Sequence, residues 1–324
     1  MPALYPLNFQ PIFKERVWGG RSLARLYGKP LPTGAPIGES WEISDRPGDA
    51  SVIAHGPLAG KDLHWLVENH RADLLGNARL QGGRFPLLIK LLDAQAKLSL
   101  QVHPPAHKAA ELHGDPKTEL WFIGEAAPGA ELYVGLRSGV TRADFERQIQ
   151  YGNVAECFHR VPVQAGDAMF LPSGRVHAIG AGLVIFEIQQ NSDTTYRVFD
   201  WNRVGLDGQP RDLHVAQSLA SIDFNDFEPA LASGEETSGM NCRIRKLVNH
   251  PLFSVELIRA QGGSLIPLPT SRMQIIGVVA GEVQVSGTST PVLRAGEFCL
   301  LPACLSKIEL LASPNAQFLR TEAN

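Results

Sequence analysis

PVQAGDAMFLPSGRVHAI, residues 162–179, and PVLRAGEFCLLPACLSKI, residues 291–308, are two versions of one pattern. Each opens on Pro-Val, turns on Ala-Gly-acid, and carries a proline six residues after the glycine. Gly166 leads to Pro172, and Gly296 leads to Pro302, 130 residues further on. A Gly-acid turn, a short apolar run and a closing proline read as a tight turn feeding a short strand. Upstream, GAELYVG at 129–135 answers GEVQVSG at 281–287, but at an offset of 152. The first copy therefore holds about 22 more residues between strand and turn. TRADFERQIQYG at 141–152, capped by Thr141 and stopped by Gly152, predicts a helix inside that insertion. With 324 residues, about two domains' worth, the repeat predicts a mainly β fold. Two related jelly-roll barrels are expected, with helical insertions in the N-terminal one.

Further strands are predicted at SVIAHG (51–56), FPLLIKLL (85–92), AKLSLQVH (96–103), ELWFIG (119–124) and LVIFEIQQ (183–190). KDLHWLVENHRADLLG (61–76) and LHVAQSLASI (213–222) have helical periodicity. The polar stretch FNDFEPALASGEETSGMNC at 224–242 reads as a connection between copies. This divides the chain into a first unit at 1–225, a linker at 226–240 and a second unit at 241–324. The 31 glycines and 23 prolines fit such a turn-rich build.

Charge narrows the partners. Thirty Lys+Arg against 33 Asp+Glu leave a formal net charge of −3, so no long-range field holds a polyanion, and nucleic acid is not expected. No apolar run approaches the roughly 18 residues of a membrane span, and the start lacks a signal-peptide core. Cys157, Cys242, Cys299 and Cys304 form no CxxC pair and read as reduced thiols of a cytoplasmic protein. A small-molecule partner and a monomer or weak homo-oligomer are the expectation.

GDAMFLPSGRVH is similar to the second motif of the cupins, through Gly166, Pro172, Gly174 and His177, with Ala181 where that motif ends in Asn. The second copy has Lys307 in place of His177, so it keeps the turn and loses the ligand. Gln101 and His103 stand two apart on a strand and leave one face, with Ser99 beside them. Glu119 opens the next strand and His177 lies beyond it. Two imidazoles, a carboxylate and an amide oxygen suit zinc or another borderline divalent ion. Gln101 either ligates or borders the site. Without it, two His and one carboxylate also suit ferrous iron, which makes a mononuclear iron oxygenase one alternative. The other histidines, among them His55, His64, His70, His214 and His250, read as structural or solvated.

FPLLIKLLDAQAKLSLQVHPP, DPKTELWFI, GRVHAIG and EIQQNSDTTYRVFDWNR, after VWGG at 17–20 and GESWEIS at 38–44, together resemble the type I mannose-6-phosphate isomerases in their short bacterial form. The resemblance runs over about the first 225 residues. It implies conversion of mannose 6-phosphate to fructose 6-phosphate with one zinc ion per chain. It places metal ligands at Gln101, His103, Glu119 and His177, and an active-site arginine at Arg197. Aldose–ketose isomerisation removes a proton alpha to a carbonyl and holds an enediolate, which a cation and a fixed guanidinium stabilise. Two residues qualify as the base. Lys117 shares the side of Glu119, where a divalent ion would disfavour its ammonium form; Glu187 is a carboxylate in an otherwise apolar strand. Ser99, with Arg197 or Lys117, is the candidate phosphate cluster. Trp18 and Trp41 are candidate sugar-pocket walls, Asp193 and Tyr196 candidate orienters of Arg197, and Arg203 a surface ion pair. A sugar-phosphate-binding cupin without catalysis is the other alternative.

Overall fold

The computed structural model describes residues 3–263 and 265–324. In chain order the first half contains β1 (Ile12–Gly20), α1 (Ser22–Tyr27), β2 (Ile37–Ile43), β3 (Asp45–Arg46), β4 (Asp49–Ala50), α2 (Leu63–Asn69), α3 (Arg71–Leu75), β5 (Leu87–Ala94), β6 (Leu100–Val102) and α4 (Ala106–Ala109). It continues through β7 (Glu119–Ala126), β8 (Glu131–Leu136), α5 (Arg142–Tyr151), β9 (Phe158–Pro162), β10 (Ala168–Leu171), β11 (His177–Ile179), β12 (Leu183–Gln190), β13 (Tyr196–Phe199) and α6 (Val215–Ser221). The second half is all strand: β14 (Glu236–Gly239), β15 (Cys242–Asn249), β16 (Phe253–Ala260), β17 (Leu265–Pro267), β18 (Gln274–Ala280), β19 (Glu282–Val285), β20 (Leu293–Arg294), β21 (Phe298–Leu301), β22 (Glu309–Ala312) and β23 (Gln317–Ala323).

The duplication is visible in the strand orders. The first half pairs β1-β2-β5-β12-β7-β10 in one sheet and β13-β6-β11-β8-β9 in the other. The second half pairs β14-β15-β16-β23-β18-β21 and β17-β22-β19-β20. The two repeated motifs supply corresponding edge strands: Leu171 of β10 sits opposite Glu119, and Leu301 of β21 sits opposite Gln274. Each half is thus a mainly β, cupin-like pair of facing sheets. α5 occupies the insertion, held by a Thr141–Asp144 capping box and a left-handed Gly152 at φ 72°.

Four clusters of apolar side chains account for the packing. Trp121, Ile123, Leu92 and Ile185 meet Leu132, Val134 and Ile179 between the first two sheets. Ile258, Ile276 and Phe318 meet Val283 and Leu310 between the last two. The outer face of the second sheet is covered by α5 and α6 through Phe145 and Ile222. The largest cluster joins the halves: Ile89, Leu91, Phe122 and Phe186 pack with Phe253, Leu257, Ile275 and Leu300, and with Leu66 and Leu74 from the small helices. Every residue of β5 and of β12 is consequently buried. Strands covered on both faces need near-continuous apolar sequence, which is what LLIKLLDA and LVIFEIQ contain.

Several local expectations differ from the structure. The predicted helix at 61–76 is two short helices, interrupted at His70, whose φ −135° leaves the helical range. Residues 51–56 make only isolated bridges, Val52 to Asp62 and Phe9 to Ile53, because no neighbouring strand runs alongside them. The strand predicted at 96–103 is regular only over Leu100–Val102, although Leu98 N–H still donates to the Ile179 carbonyl at 2.9 Å and the His103 carbonyl accepts from Gly174 N–H at 2.9 Å. Within the polar connection, β14 pairs along β15 as an edge strand.

Candidate metal centre and its cavity

Three strands bring the ligands together. His177 begins β11 directly opposite Gln101 of β6, and His103 follows one residue after that strand. Glu119 begins β7 in the facing sheet. His177 Nε2 lies 3.4 Å and His103 Nε2 3.7 Å from Glu119 Oε1. The two imidazole rings are 4.8 Å apart, and the Trp121 ring stands edge-on to His177 at 5.3 Å. All three ligand side chains are buried.

The rings are held from behind. His103 Nδ1–H donates to the Thr194 carbonyl at 2.7 Å, and His177 Nδ1–H donates to the Arg175 carbonyl at 2.9 Å. Each bond selects the tautomer whose Nε2 lone pair points inward. Burial, together with His103, pushes the His177 pKa down to about 3. Burial and then the Lys117 charge lower that of His103 as well. Both rings are therefore neutral and able to ligate. Burial alone would raise the Glu119 carboxyl, but Lys117 and the two histidines outweigh it and hold the group well below the usual range.

Buried His103 Nε2 and Glu119 Oε1 have no hydrogen-bond partner. Orphaned lone pairs facing one another out of water are unfavourable unless a cation joins them. Two imidazole nitrogens with a carboxylate fit a borderline divalent ion such as zinc. Gln101 borders the same point: its amide Nε2 is 3.3 Å from His177 Nε2, and its Oε1 accepts from Ser99 Oγ at 3.2 Å. A half-turn of that amide would present oxygen instead of nitrogen to a cation.

A cavity of about 650 Å³ opens beside this centre. Its lining includes buried Ser99, Lys117, Glu187, Trp18, Glu39 and Lys90 and the partly exposed Gln101, Arg16, Arg197, Arg211 and His214. The candidate site residues Ser99, Gln101, Lys117, Glu187 and Arg197 are thus brought to one space, together with Trp18 and Asp193.

Alternation along three adjacent strands builds its buried side. Lys90 of β5, Glu187 of β12 and Trp121 of β7 lie in one row across the sheet. The Trp121 indole N–H donates to Glu187 Oε1 at 3.0 Å. Lys90 Nζ is 3.4 Å from Glu187 Oε2 and 3.7 Å from Glu39 Oε2. Lys117 Nζ is 2.7 Å from Glu119 Oε2 and 3.8 Å from Glu187 Oε1. Burial raises the Glu187 carboxyl above its ordinary value against the pull of both lysines. Burial disfavours the Lys117 ammonium, but Glu119 and Glu187 outweigh it and raise its pKa.

Arg197 forms no salt bridge among the described residues, and its buried Nε has no hydrogen-bond partner, although Asp200 and Asp212 lie near enough to act on its charge. Burial and then the neighbouring Arg211 charge lower its pKa. Its strand is fixed by His214, whose backbone N–H donates to the Arg197 carbonyl at 2.8 Å. The Arg197 N–H in turn donates to His214 Nδ1 at 3.3 Å. His214, read from the sequence as merely structural or solvated, lines the cavity.

Other sequence expectations resolve differently. Tyr196 does not orient Arg197; its hydroxyl donates to the Leu112 carbonyl at 2.6 Å, because side chains one apart on β13 leave opposite faces. Asp193 lies 3.9 Å from Lys90 instead. Trp41 is absent from the cavity lining, with its indole N–H given to Glu39 Oε2 at 2.6 Å. Trp18 does line the cavity, and Arg203 pairs with Asp200 at 2.8 Å. Lys90, Glu39, Arg16 and Arg211 were not singled out in the sequence. Lys90 carried the same signal as Glu187, a charge in the middle of an apolar strand. All four cysteines are free thiols, and among the described residues no helix is long and apolar enough to cross a membrane.

Two cupin-like units, one with a buried His–Glu–His centre under a charged cavity, define a cupin-type enzyme. Residues 7–137 match the family of phosphomannose isomerase type I catalytic domains. The chain is 35% identical over 316 residues to mannose-6-phosphate isomerase of Streptococcus mutans, covering 95% of this chain and 98% of that one. It is 36% identical over 311 residues to a mannose-6-phosphate isomerase of Bacillus subtilis, covering 94% and 95%. The crystal structure of the mannose 6-phosphate isomerase from Bacillus subtilis superposes with a TM-score of 0.89 at 30% identity, over 98% of this chain and 99% of that one. A putative mannosephosphate isomerase from Archaeoglobus fulgidus shares the fold, with a TM-score of 0.76 at 21% identity over 100% and 98% of the two chains. The chain belongs to the type I mannose-6-phosphate isomerases, a family of aldose–ketose isomerases.

Proposed function

We propose that this chain interconverts mannose 6-phosphate and fructose 6-phosphate through an enediolate, with one zinc ion held by His103, Glu119 and His177, and by Gln101 through its amide oxygen. Bound there, the ion supplies polarisation of the substrate oxygens. The remaining work falls to the chain's own side chains. Glu187 takes the proton alpha to the carbonyl and returns it to the neighbouring carbon. Its raised carboxyl pKa makes it a better base than a surface glutamate. Lys117 and Lys90 hold positive charge beside it, where negative charge develops on the sugar oxygens. Arg197 takes the phosphate as its salt-bridge partner, with Arg211 adding charge and Ser99 a hydroxyl nearer the metal.

One observation carries this reading: Glu187 lies between two ammonium groups, beside the orphaned ligand set and in the same cavity. A protein that only bound a sugar phosphate has no duty for that carboxylate. The division into a catalytic unit at 1–225, a linker at 226–240 and a ligand-free unit at 241–324 belongs to the same proposal. Its support is that Gln274 takes the strand position of Glu119, while Lys307 is exposed and paired with Glu309 at 2.9 Å. The test is a coupled assay of mannose 6-phosphate conversion before and after chelation, with metal quantified in the same sample. Loss on chelation and recovery with zinc are expected; turnover by metal-free protein overturns the metal role.

A further inference from the structure

The centre's weakest point is His103, which lies just beyond the short strand β6, so the ladder does not fix its ring. Its orientation rests on one acceptor, the Thr194 carbonyl, and that carbonyl belongs to an irregular segment between β12 and β13. Loop carbonyls turn easily unless something holds the peptide. This one is held from several sides. Gln189 Nε2 donates to the Ser192 carbonyl at 2.6 Å. Ser192 Oγ donates to the Asp115 carbonyl at 3.2 Å and accepts from the Thr194 N–H at 3.2 Å. Thr194 Oγ1 accepts from the Asp115 N–H at 2.9 Å. The 192–194 segment and the turn before Lys117 are thus tied by two side-chain hydroxyls. Gly114 lets them approach: a Cβ there would lie 2.5 Å from Tyr196 Oη and 2.7 Å from Thr194 Cγ2.

We propose that Ser192 and Thr194 are positioning residues that aim the Thr194 carbonyl at His103 and so set the ring's tautomer and direction for the metal. The inference rests on the metal reading above. Neither residue lines the cavity. Their effect passes through one backbone oxygen, and the same clamp fixes the turn from which Lys117 and Glu119 depart.

The test uses the full chain and zinc alone, in competition with a chromophoric chelator. Thr194→Val keeps the side-chain shape and removes the acceptor for Asp115; Thr194→Ser keeps the acceptor. Ser192→Ala removes both of its bonds. Thr194→Val and Ser192→Ala are each expected to weaken zinc binding by about tenfold or more, the usual effect of losing a group that orients a metal-bound histidine. Thr194→Ser should keep the wild-type affinity. With zinc in excess, KM should stay near wild type while kcat recovers. A role confined to loop packing would lower Tm of the metal-free variants and leave zinc affinity unchanged, which overturns the proposal. Wild-type protein that binds no zinc overturns the metal reading itself, a separate outcome.

Discussion

Glu187 stands directly opposite Lys90 on neighbouring strands, Oε2 3.4 Å from Nζ, and the second unit repeats that pair with its charges exchanged. There Glu256 occupies the strand position of Lys90, and Arg320 that of Glu187. Arg320 Nε lies 3.2 Å from Glu256 Oε2 and its Nη1 3.1 Å from Glu322 Oε1, and Arg272 Nη1 meets Glu322 Oε2 at 3.4 Å, so two arginines balance two glutamates there. In the first unit two lysines share Glu187, and the cavity reaches all three. One duplicated strand pair is an ion cluster in one copy and a cavity-lining row in the other.

As the proposed base, Glu187 is expected to be the most sensitive residue outside the ligand set. Glu187→Gln keeps the size and the bond from Trp121 but removes the base. A kcat loss of about 10²-fold or more is expected, the usual range for a proton-transfer group, with KM little changed. Steady-state kinetics on zinc-loaded protein checks this. A kcat within a few-fold of wild type would move the role to Lys117.

Copy-specific loss of ligands separates two histidine-position variants. His177→Ala should abolish zinc binding while circular dichroism stays that of a β protein. Lys307→Ala alters the corresponding exposed position of the second unit and should leave stoichiometry and turnover unchanged. Metal analysis after dialysis distinguishes the two.

Phosphate recognition is testable apart from chemistry. Charge-assisted hydrogen bonds are worth about 1.5–3 kcal/mol, so Arg197→Ala should raise KM for the sugar phosphate roughly tenfold or more. Inhibition by inorganic phosphate should weaken in parallel. Unchanged phosphate inhibition would mean the anion sits elsewhere.

Glu39 links the cavity wall to acid stability. Burial opposes its ionisation, but Lys90, Arg16 and the Trp41 N–H prevail and hold its pKa at about 2. The folded value is depressed, so the stabilisation is complete above the unfolded carboxyl value. It is lost as pH falls from about 4.5 towards 2. Its size is of order 3 kcal/mol at neutral pH. Denaturant unfolding of wild type and Glu39→Gln should differ most at neutral pH and converge only below about pH 2; a gap that persists below that would assign the loss to packing.

The shared core predicts coupled unfolding of the two units. Leu300 belongs to the second unit yet packs with Ile89, Phe122 and Phe186 of the first, and its backbone pairs with Leu7. Leu300→Ala should cost about 2–5 kcal/mol and lower a single calorimetric transition. Two separate transitions, with only one displaced, would show that the halves fold independently.

Much of this was legible because strands have period two and turns have obligate residues. The Gly166-to-Pro172 turn announced both copies, and the spacing of Gln101 and His103 placed two polar side chains on one strand face. His177 was legible from the turn before it, and Glu187 from its isolation among apolar neighbours. Lys90 had the same signature. Arg16, Glu39 and Arg211 had none, since charged residues near loops are ordinary until the chain folds them around a cavity.

The sequence by itself pointed to the duplicated β architecture through local turn chemistry and strand period, and its ordered motifs resembled the family and implied the donor set His103, Glu119 and His177. Tertiary structure alone decided which charges face one another. Lys117 lies against Glu119 and Glu187 because two adjacent strands bring them to it, and the His103 ring is held by a carbonyl 91 residues away. The Gly166 and Gly296 turns start matching strands, but strand pairing set Glu187 among lysines in one copy and neutralised Arg320 in the other. Protonation and aim depend on neighbours distant in sequence, brought close by sheet register and by burial that strengthens their fields.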